Sequence, residues 1–219
     1  MTNDNNLQNE LKIIANDYSN FFNGKIKFVV KFRPYNCPFT DIIPVIEKKY
    51  DSILDIGCGH GLFLYYCYRI ANIKNAIGID INEKLLSTVS FAFTNITNNV
   101  NYSFKQADSY RSWPKTTFDI VSMIDLLHHL NKKDHLEFVK EAAERVNKGG
   151  LFIIKDMLNV PFICGLTNTL NDLILSRQLP NYPNLDLLIN TISGNFIKLI
   201  DKNIRTILYK HRLIILQRK

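Results

Sequence analysis

Residues 55–61 read Asp55-Ile56-Gly57-Cys58-Gly59-His60-Gly61, and they close the apolar run Ser52-Ile-Leu-Asp-Ile56. A short strand-forming stretch that runs straight into alternating glycines is a turn made for close backbone approach, since glycine takes left-handed conformations without a Cβ penalty. Where such a turn opens a helix, the amides of the first turn favour a polar ligand. The spacing narrows the choice. A dinucleotide fingerprint, Gly-x-Gly-x-x-Gly, needs its third glycine where this chain has Leu62, and here the third glycine is Gly61. The carboxylate of Asp55 just ahead of the loop also suits a cationic ligand better than a pyrophosphate. A nicotinamide or flavin cofactor is disfavoured on both counts.

Working outward, short apolar stretches alternate with helical periodicity, the pattern of an α/β chain with a parallel sheet built from βαβ units. Strands are predicted at 52–56, 76–80, 101–106, 118–124, 151–155, 196–200 and 213–217, and helices at about 6–22, 60–71, 83–97 and 132–147. The last of these helices ends in Lys148-Gly149-Gly150, where glycine suits a left-handed cap. The stretch 25–38 is too broken by Pro34 and Pro38 to be a central strand, and it leads into a second helix from Thr40 or Asp41 to about Lys49. Residues 158–193 read as a mostly helical insert, and the last two strands sit close enough for an antiparallel hairpin. The expected organisation is one domain over 1–219: N-terminal helices and lid (1–50), a ligand-binding core (51–156), the insert (157–195) and the hairpin (196–219).

Composition bounds the reading further. With 219 residues and 46% hydrophobic content the chain can bury a substantial core, and no apolar run reaches the ~18 residues of a membrane span. The start, Met-Thr-Asn-Asp-Asn-Asn, lacks a basic and apolar leader, so a cytoplasmic location is expected. The cysteines Cys37, Cys58, Cys67 and Cys164 have neither disulfide-framework nor zinc spacing. The net charge is +7, and most of it falls in the last segment, where seven cations from Lys198 to Lys219 face Asp201 alone. Such a strip serves an anionic partner or deters pairing at a sheet edge.

The ordered motifs resemble the class I S-adenosylmethionine-dependent methyltransferases. In that family Asp-x-Gly-x-Gly-x-Gly is the first cofactor motif, matching Asp55, Gly57, Cys58, Gly59 and Gly61, and an acid ends the second strand. That acid is Asp80, nineteen residues beyond Gly61, in Gly78-Ile-Asp-Ile-Asn82. The resemblance extends to Gln106-Ala-Asp-Ser109 after the third strand, to 118–130 as the fourth strand and its exit, and to 145–155 as the fifth. It implies a Rossmann-like three-layer fold with a seven-stranded, mostly parallel sheet and S-adenosylmethionine as cofactor. It assigns the ribose hydroxyls to Asp80, the adenine face to Ile81 and the adenine amino group to Asp108, with Ser109 beside it. The segment 31–39 either folds over the cofactor, with Arg33 on its carboxylate and Tyr35 over the sulfonium, or is a plain connector. His60, inside the glycine loop, is expected to pack over the cofactor rather than act as a base.

Methyl transfer from a sulfonium rests on alignment and desolvation, and a base is needed only when the acceptor is protonated. Asp125, His128 and His129 follow the fourth strand, at the end of the sheet where α/β proteins bind ligands. His129 is the first candidate base, with His128 and Asp125 beside it, set against exposure or simple packing for either histidine. Asp125 and Asp156 could together hold a divalent cation, but Met157 stands where the metal-dependent members carry an acid-amide pair, so no metal is expected. Ile124-Asp-Leu-Leu-His-His lacks the Asn/Asp-Pro-Pro-aromatic and Pro-Cys signatures of DNA methyltransferases. A small, partly apolar metabolite is the expected acceptor, with Leu158, Val160, Phe162, Ile163, Leu166, Leu170, Leu173 and Ile174 lining its pocket or forming a packing face. RNA methylation, and a catalytically silent subunit docking through the basic hairpin, are the alternatives.

Overall fold

The computed structural model describes residues 2–46, 49–98, 100–158, 181–205 and 210–219. Its strands are β1 (Ser52–Ile56), β2 (Asn75–Asp80), β3 (Asn101–Gln106), β4 (Phe118–Ile124), β5 (Val146–Met157), β6 (Phe196–Arg205) and β7 (Lys210–Arg218). They form one mixed sheet in the order β3-β2-β1-β4-β5-β7-β6. The pairs β1–β2, β2–β3 and β4–β5 are parallel, and β7 runs antiparallel to both β5 and β6. This is the mostly parallel α/β sheet with an antiparallel C-terminal hairpin that the sequence pattern predicts. The chain divides into two compact units, Met1–Asp108 and Ser109–Lys219.

In the first unit β1 is buried from Ile53 to Ile56, as a strand covered on both faces must be. The helices are α1 (Thr2–Tyr18), α2 (Gly24–Asn36), α3 (Phe39–Ile42), α4 (Leu62–Arg69) and α5 (Glu83–Ile96). Leu62 to Cys67 of α4 are all buried, and a helix apolar all round must be covered on every side. The N-terminal helices supply that cover. Tyr66 donates its hydroxyl hydrogen to the Leu11 carbonyl at 2.8 Å, Tyr18 stacks on Tyr65 at 4.7 Å, and Phe39 lies against Phe63 and Tyr66. Helix α5 buries Leu86, Val89 and Phe93 at helical spacing, and Asn82 caps it by accepting the Leu85 amide.

Two local readings are refined here for identifiable reasons. Residues 24–36, read only as too proline-broken for a central strand, are a helix: Pro34 falls in its last turn, where the missing N–H costs one hydrogen bond, and Cys37 closes the end on the Arg33 carbonyl. The helix expected at 40–49 stops at Ile42 and continues as a 3-10 turn, Ile43–Val45, because Pro44 cannot donate within it.

In the second unit, α6 (His135–Glu144) and α7 (Leu185–Ile192) accompany β4 to β7. Strand β5 starts five residues earlier than predicted. Its register on β4 jumps between Phe118↔Val146 and Ile120↔Leu151, and Gly149 takes φ +76° inside that irregularity instead of capping α6. Strands β6 and β7 both outrun their predicted limits. Of these two strands β6 is the one at a sheet edge; it carries Lys198, Lys202 and Arg205, and Ile197 and Leu199 are exposed along it. Much of the basic tail is engaged within the fold. Arg212 grips Asp201 through two bonds at 2.8 and 3.0 Å and Asp186 at 2.8 Å, while Arg218 donates to the Val146 carbonyl at 2.6 Å. The Arg212 guanidinium holds the Asp201 carboxyl down to about 2. No helix among the described residues is long and apolar enough to cross a membrane. Most of the insert, including Val160 to Ile174, lies outside the described residues.

Candidate active site

The glycine loop of the first unit is fixed by main-chain bonds. The amides of Gly57 and Cys58 both donate to the Ile79 carbonyl, at 2.8 and 2.9 Å, which ties the loop to the end of β2. The Gly59 amide donates to Asp80 Oδ2 at 2.9 Å and the Asn82 amide to Oδ1 at 2.9 Å, so one carboxylate joins the loop to the start of α5. Ala107 in turn donates to the Asp80 carbonyl, placing the exposed Asp108 beside it at the end of β3. Gly61 has φ +72°, and a Cβ there would lie 2.7 Å from Val89 Cγ1 and 3.0 Å from Tyr18 Oη. Tyr18 holds the preceding residue by donating to the His60 carbonyl at 2.8 Å. Gly61 is thus a packing requirement as well as a turn.

The other face of the loop is open. A Cβ on Gly59 would meet nothing within 4 Å, and the neighbouring Ile81 is 67% exposed. These features fit S-adenosylmethionine: bare backbone for close approach, a carboxylate with lone pairs left for a diol, and an apolar side chain for an adenine face. Asp55 is buried beneath the loop, and the Cys58 thiol turns inward as well, its Sγ 2.9 Å from the Cβ position of Gly78. Burial, reinforced by Asp55 and Asp80, pushes that thiol well above its ordinary pKa, so Cys58 contributes its backbone and an apolar plug. His60 sits edge-on to Phe22 at 5.9 Å, and burial together with the Arg33 cation lowers its pKa to about 4, so the ring is neutral at pH 7. Arg33 therefore stands near the loop. Tyr35, about 200° further round the helix, is exposed under Lys12 at 4.7 Å and packs with Phe32.

The second unit gathers a different set of groups at the ends of β4 and β5. Asp125 follows β4 with φ +56°, and its amide extends the ladder to the Lys155 carbonyl. Its carboxylate takes the Lys155 ammonium at 2.5 Å, and His211 Nδ1 lies 3.9 Å away. Lys155 is wholly buried. Asp156, also buried, accepts the Leu127 amide at 2.7 Å and the His128 amide at 3.4 Å on Oδ2, and the Met157 amide at 2.7 Å on Oδ1. The His128 ring meets the same Oδ1 through Nδ1 at 2.7 Å. His129 is exposed on the 3-10 turn Leu127–His129, its ring 3.9 Å from that of His128. Ser109, expected beside the adenine, accepts the Arg111 amide and caps the turn Tyr110–Ser112.

Two residues of this cluster, Lys155 and His211, carried no functional expectation. Lys155 lies near the end of a buried strand next to an acid, which is a readable signal. His211 arrives only through the Met157↔His211 register of β5 and β7. Atoms of Asp125, His128 and Asp156 lie within 4.8 Å of one another. A divalent cation fits them poorly, because the Lys155 ammonium already supplies the positive charge at Asp125 and Asp156 is saturated by donors. A cavity of about 370 Å³ adjoins this unit's insert, lined by Leu158, Tyr182, Leu185 and Arg212 among others.

Comparison with known proteins agrees with this geometry. A family model described as a methyltransferase domain matches residues 53–150. The ubiquinone biosynthesis O-methyltransferase of Hydrogenovibrio crunogenus is 28% identical over 127 residues, 58% of this chain and 50% of that protein. The 27-O-demethylrifamycin SV methyltransferase of Amycolatopsis mediterranei is 30% identical over 119 residues, 53% of this chain and 42% of that one. The chain thus spans about half the length of the curated relatives it matches. In fold it is similar to the magnesium protoporphyrin IX methyltransferase of Synechocystis PCC 6803 with bound SAH, at a TM-score of 0.65 and 16% identity over 91% of both chains. Over residues 53–150 the chain thus matches a methyltransferase domain.

Proposed function

We propose that the chain transfers the methyl group of S-adenosylmethionine to a hydroxyl of a small, partly apolar metabolite, with His128 as the base. The observation that carries this reading is the buried His128 Nδ1 to Asp156 Oδ1 contact of 2.7 Å. A carboxylate on Nδ1 fixes the imidazole with its proton on that nitrogen, which makes Nε2 the basic atom, and it stabilises the imidazolium formed on proton uptake. An acceptor that is protonated at pH 7, as a phenol or alcohol is, has use for such a base. The relatives named for ubiquinone and rifamycin chemistry support a small-molecule acceptor.

In this reading Asp80, Ile81 and Asp108, the amides of Gly57 to Gly61, and Arg33 hold the cofactor, which when bound supplies an electrophilic methyl group on sulfur. Asp125, fixed by Lys155, orients the acceptor, and His129 at the exposed rim meets it on entry. The test is methyl transfer from labelled S-adenosylmethionine to a panel of phenols, catechols and hydroxylated polyketides, with transfer RNA as the competing acceptor. His128→Ala is expected to lower kcat by about 10²–10⁴ while calorimetric binding of S-adenosylmethionine is retained; Asp80→Ala is expected to lose that binding. Label entering RNA alone, or full turnover in His128→Ala, would overturn the proposal.

A further inference from the structure

Helix α2 has two apolar faces. Val30 and Pro34 are buried, while Phe28, Phe32 and Tyr35 on the far side are 65%, 36% and 42% exposed. At ~100° per residue the three aromatic side chains fall within about 60° of one another. They form a continuous strip: Phe28 and Phe32 stack at 4.3 Å, and Phe32 and Tyr35 lie 5.8 Å apart. Lysines bracket the strip, Lys25 on one flank and Lys31 and Lys27 on the other, and Lys12 of α1 sits over its Tyr35 end. No acidic residue occurs between Asp17 and Asp41.

We propose that this face of α2 docks the protein on an anionic lipid surface. Aromatic side chains flanked by long cationic ones match the two layers of a bilayer interface, apolar at the acyl boundary and negative at the headgroups. Charge complementarity selects the lipid as occupant, because the lysines lie beside the strip at one level and no carboxylate of the helix opposes them. A convex helix face lacks the groove that tracks a nucleic-acid backbone, and four lysines facing their own copies would repel. The short apolar strip gives peripheral, reversible binding.

The experiment is co-sedimentation of the full chain with vesicles of phosphatidylcholine alone and of phosphatidylcholine with phosphatidylglycerol. Binding is expected only to the anionic vesicles and weakens as salt rises. Lys25→Gln/Lys27→Gln/Lys31→Gln is expected to reduce it by roughly a hundred-fold, from about 1 kcal/mol per lysine, and Phe28→Ser/Phe32→Ser by at least about ten-fold. Retained thermal melting and binding of S-adenosylmethionine show that these surface variants are folded. Three results would overturn the proposal: no sedimentation with either vesicle, equal binding by the variants, or binding of single-stranded RNA or self-association that depends on these residues while vesicles are ignored.

Discussion

The glycine loop and the polar cluster after β4 satisfy their charged groups in opposite ways. At the loop, the carboxylate of Asp80 is bound by backbone amides, from Gly59 twenty-one positions before it and from Asn82 two positions after it. In the cluster, a fully buried lysine answers an aspartate thirty positions away, and Asp156 reaches back to His128. Main-chain bonding makes the first site insensitive to side-chain identity except where glycine is demanded. Side-chain pairing makes the second site an all-or-none arrangement, since removing one charge strands another in a low-dielectric interior.

That contrast is broken most severely at Lys155. Lys155→Met is expected to cost about 3–5 kcal/mol in urea unfolding, because it takes away the ion pair of Asp125, and Asp125→Asn with Lys155→Met should recover most of the loss. A single variant within about 1 kcal/mol of the parent would show that the cluster is as tolerant as the loop. Gly61→Ala tests the loop where it does depend on residue type. Strain at φ +72° and the overlap with Val89 predict about 2–4 kcal/mol, of which Val89→Ala should return only the packing share.

His60 sharpens the comparison through pH. Its folded pKa of about 4 lies below the ordinary 6.5, so the unfolded chain binds the proton more readily. Stability is therefore undiminished by this group above about pH 6.5 and is lost as pH falls toward 4, by on the order of 2–3 kcal/mol. Thermal melting of His60→Gln across that window should show a shallower decline than the parent; identical profiles would remove His60 as the cause. The smallest effect belongs to Asn82→Ala, which loses the cap of α5 at about 1 kcal/mol, and it should leave the cluster's unfolding response unchanged.

The same division decided what the sequence could reveal. Asp55 to Gly61 and Asp80 announce the loop because its parts are local and each has one reason to be there. In sequence Lys155 is only a charge near the end of an apolar run, and His211 lies 86 residues from Asp125 with only the β5–β7 register to join them. Helix α2 was hidden by its two apolar faces, which erase amphipathic periodicity, and by Pro34, whose position in the last turn makes it harmless. The choice between His128 and His129 needed the 3-10 turn that buries one ring and exposes the other.

Strand β6 bears on how the protein behaves in concentrated solution. Its ten residues form one edge of the sheet, and with Ile197 and Leu199 exposed that edge would template strand addition between molecules were it not for the cations spaced along it. Colloidal stability then depends on electrostatic repulsion at one edge, and it should decline as ionic strength shortens the range of those charges. Low salt is the condition in which this chain keeps to itself.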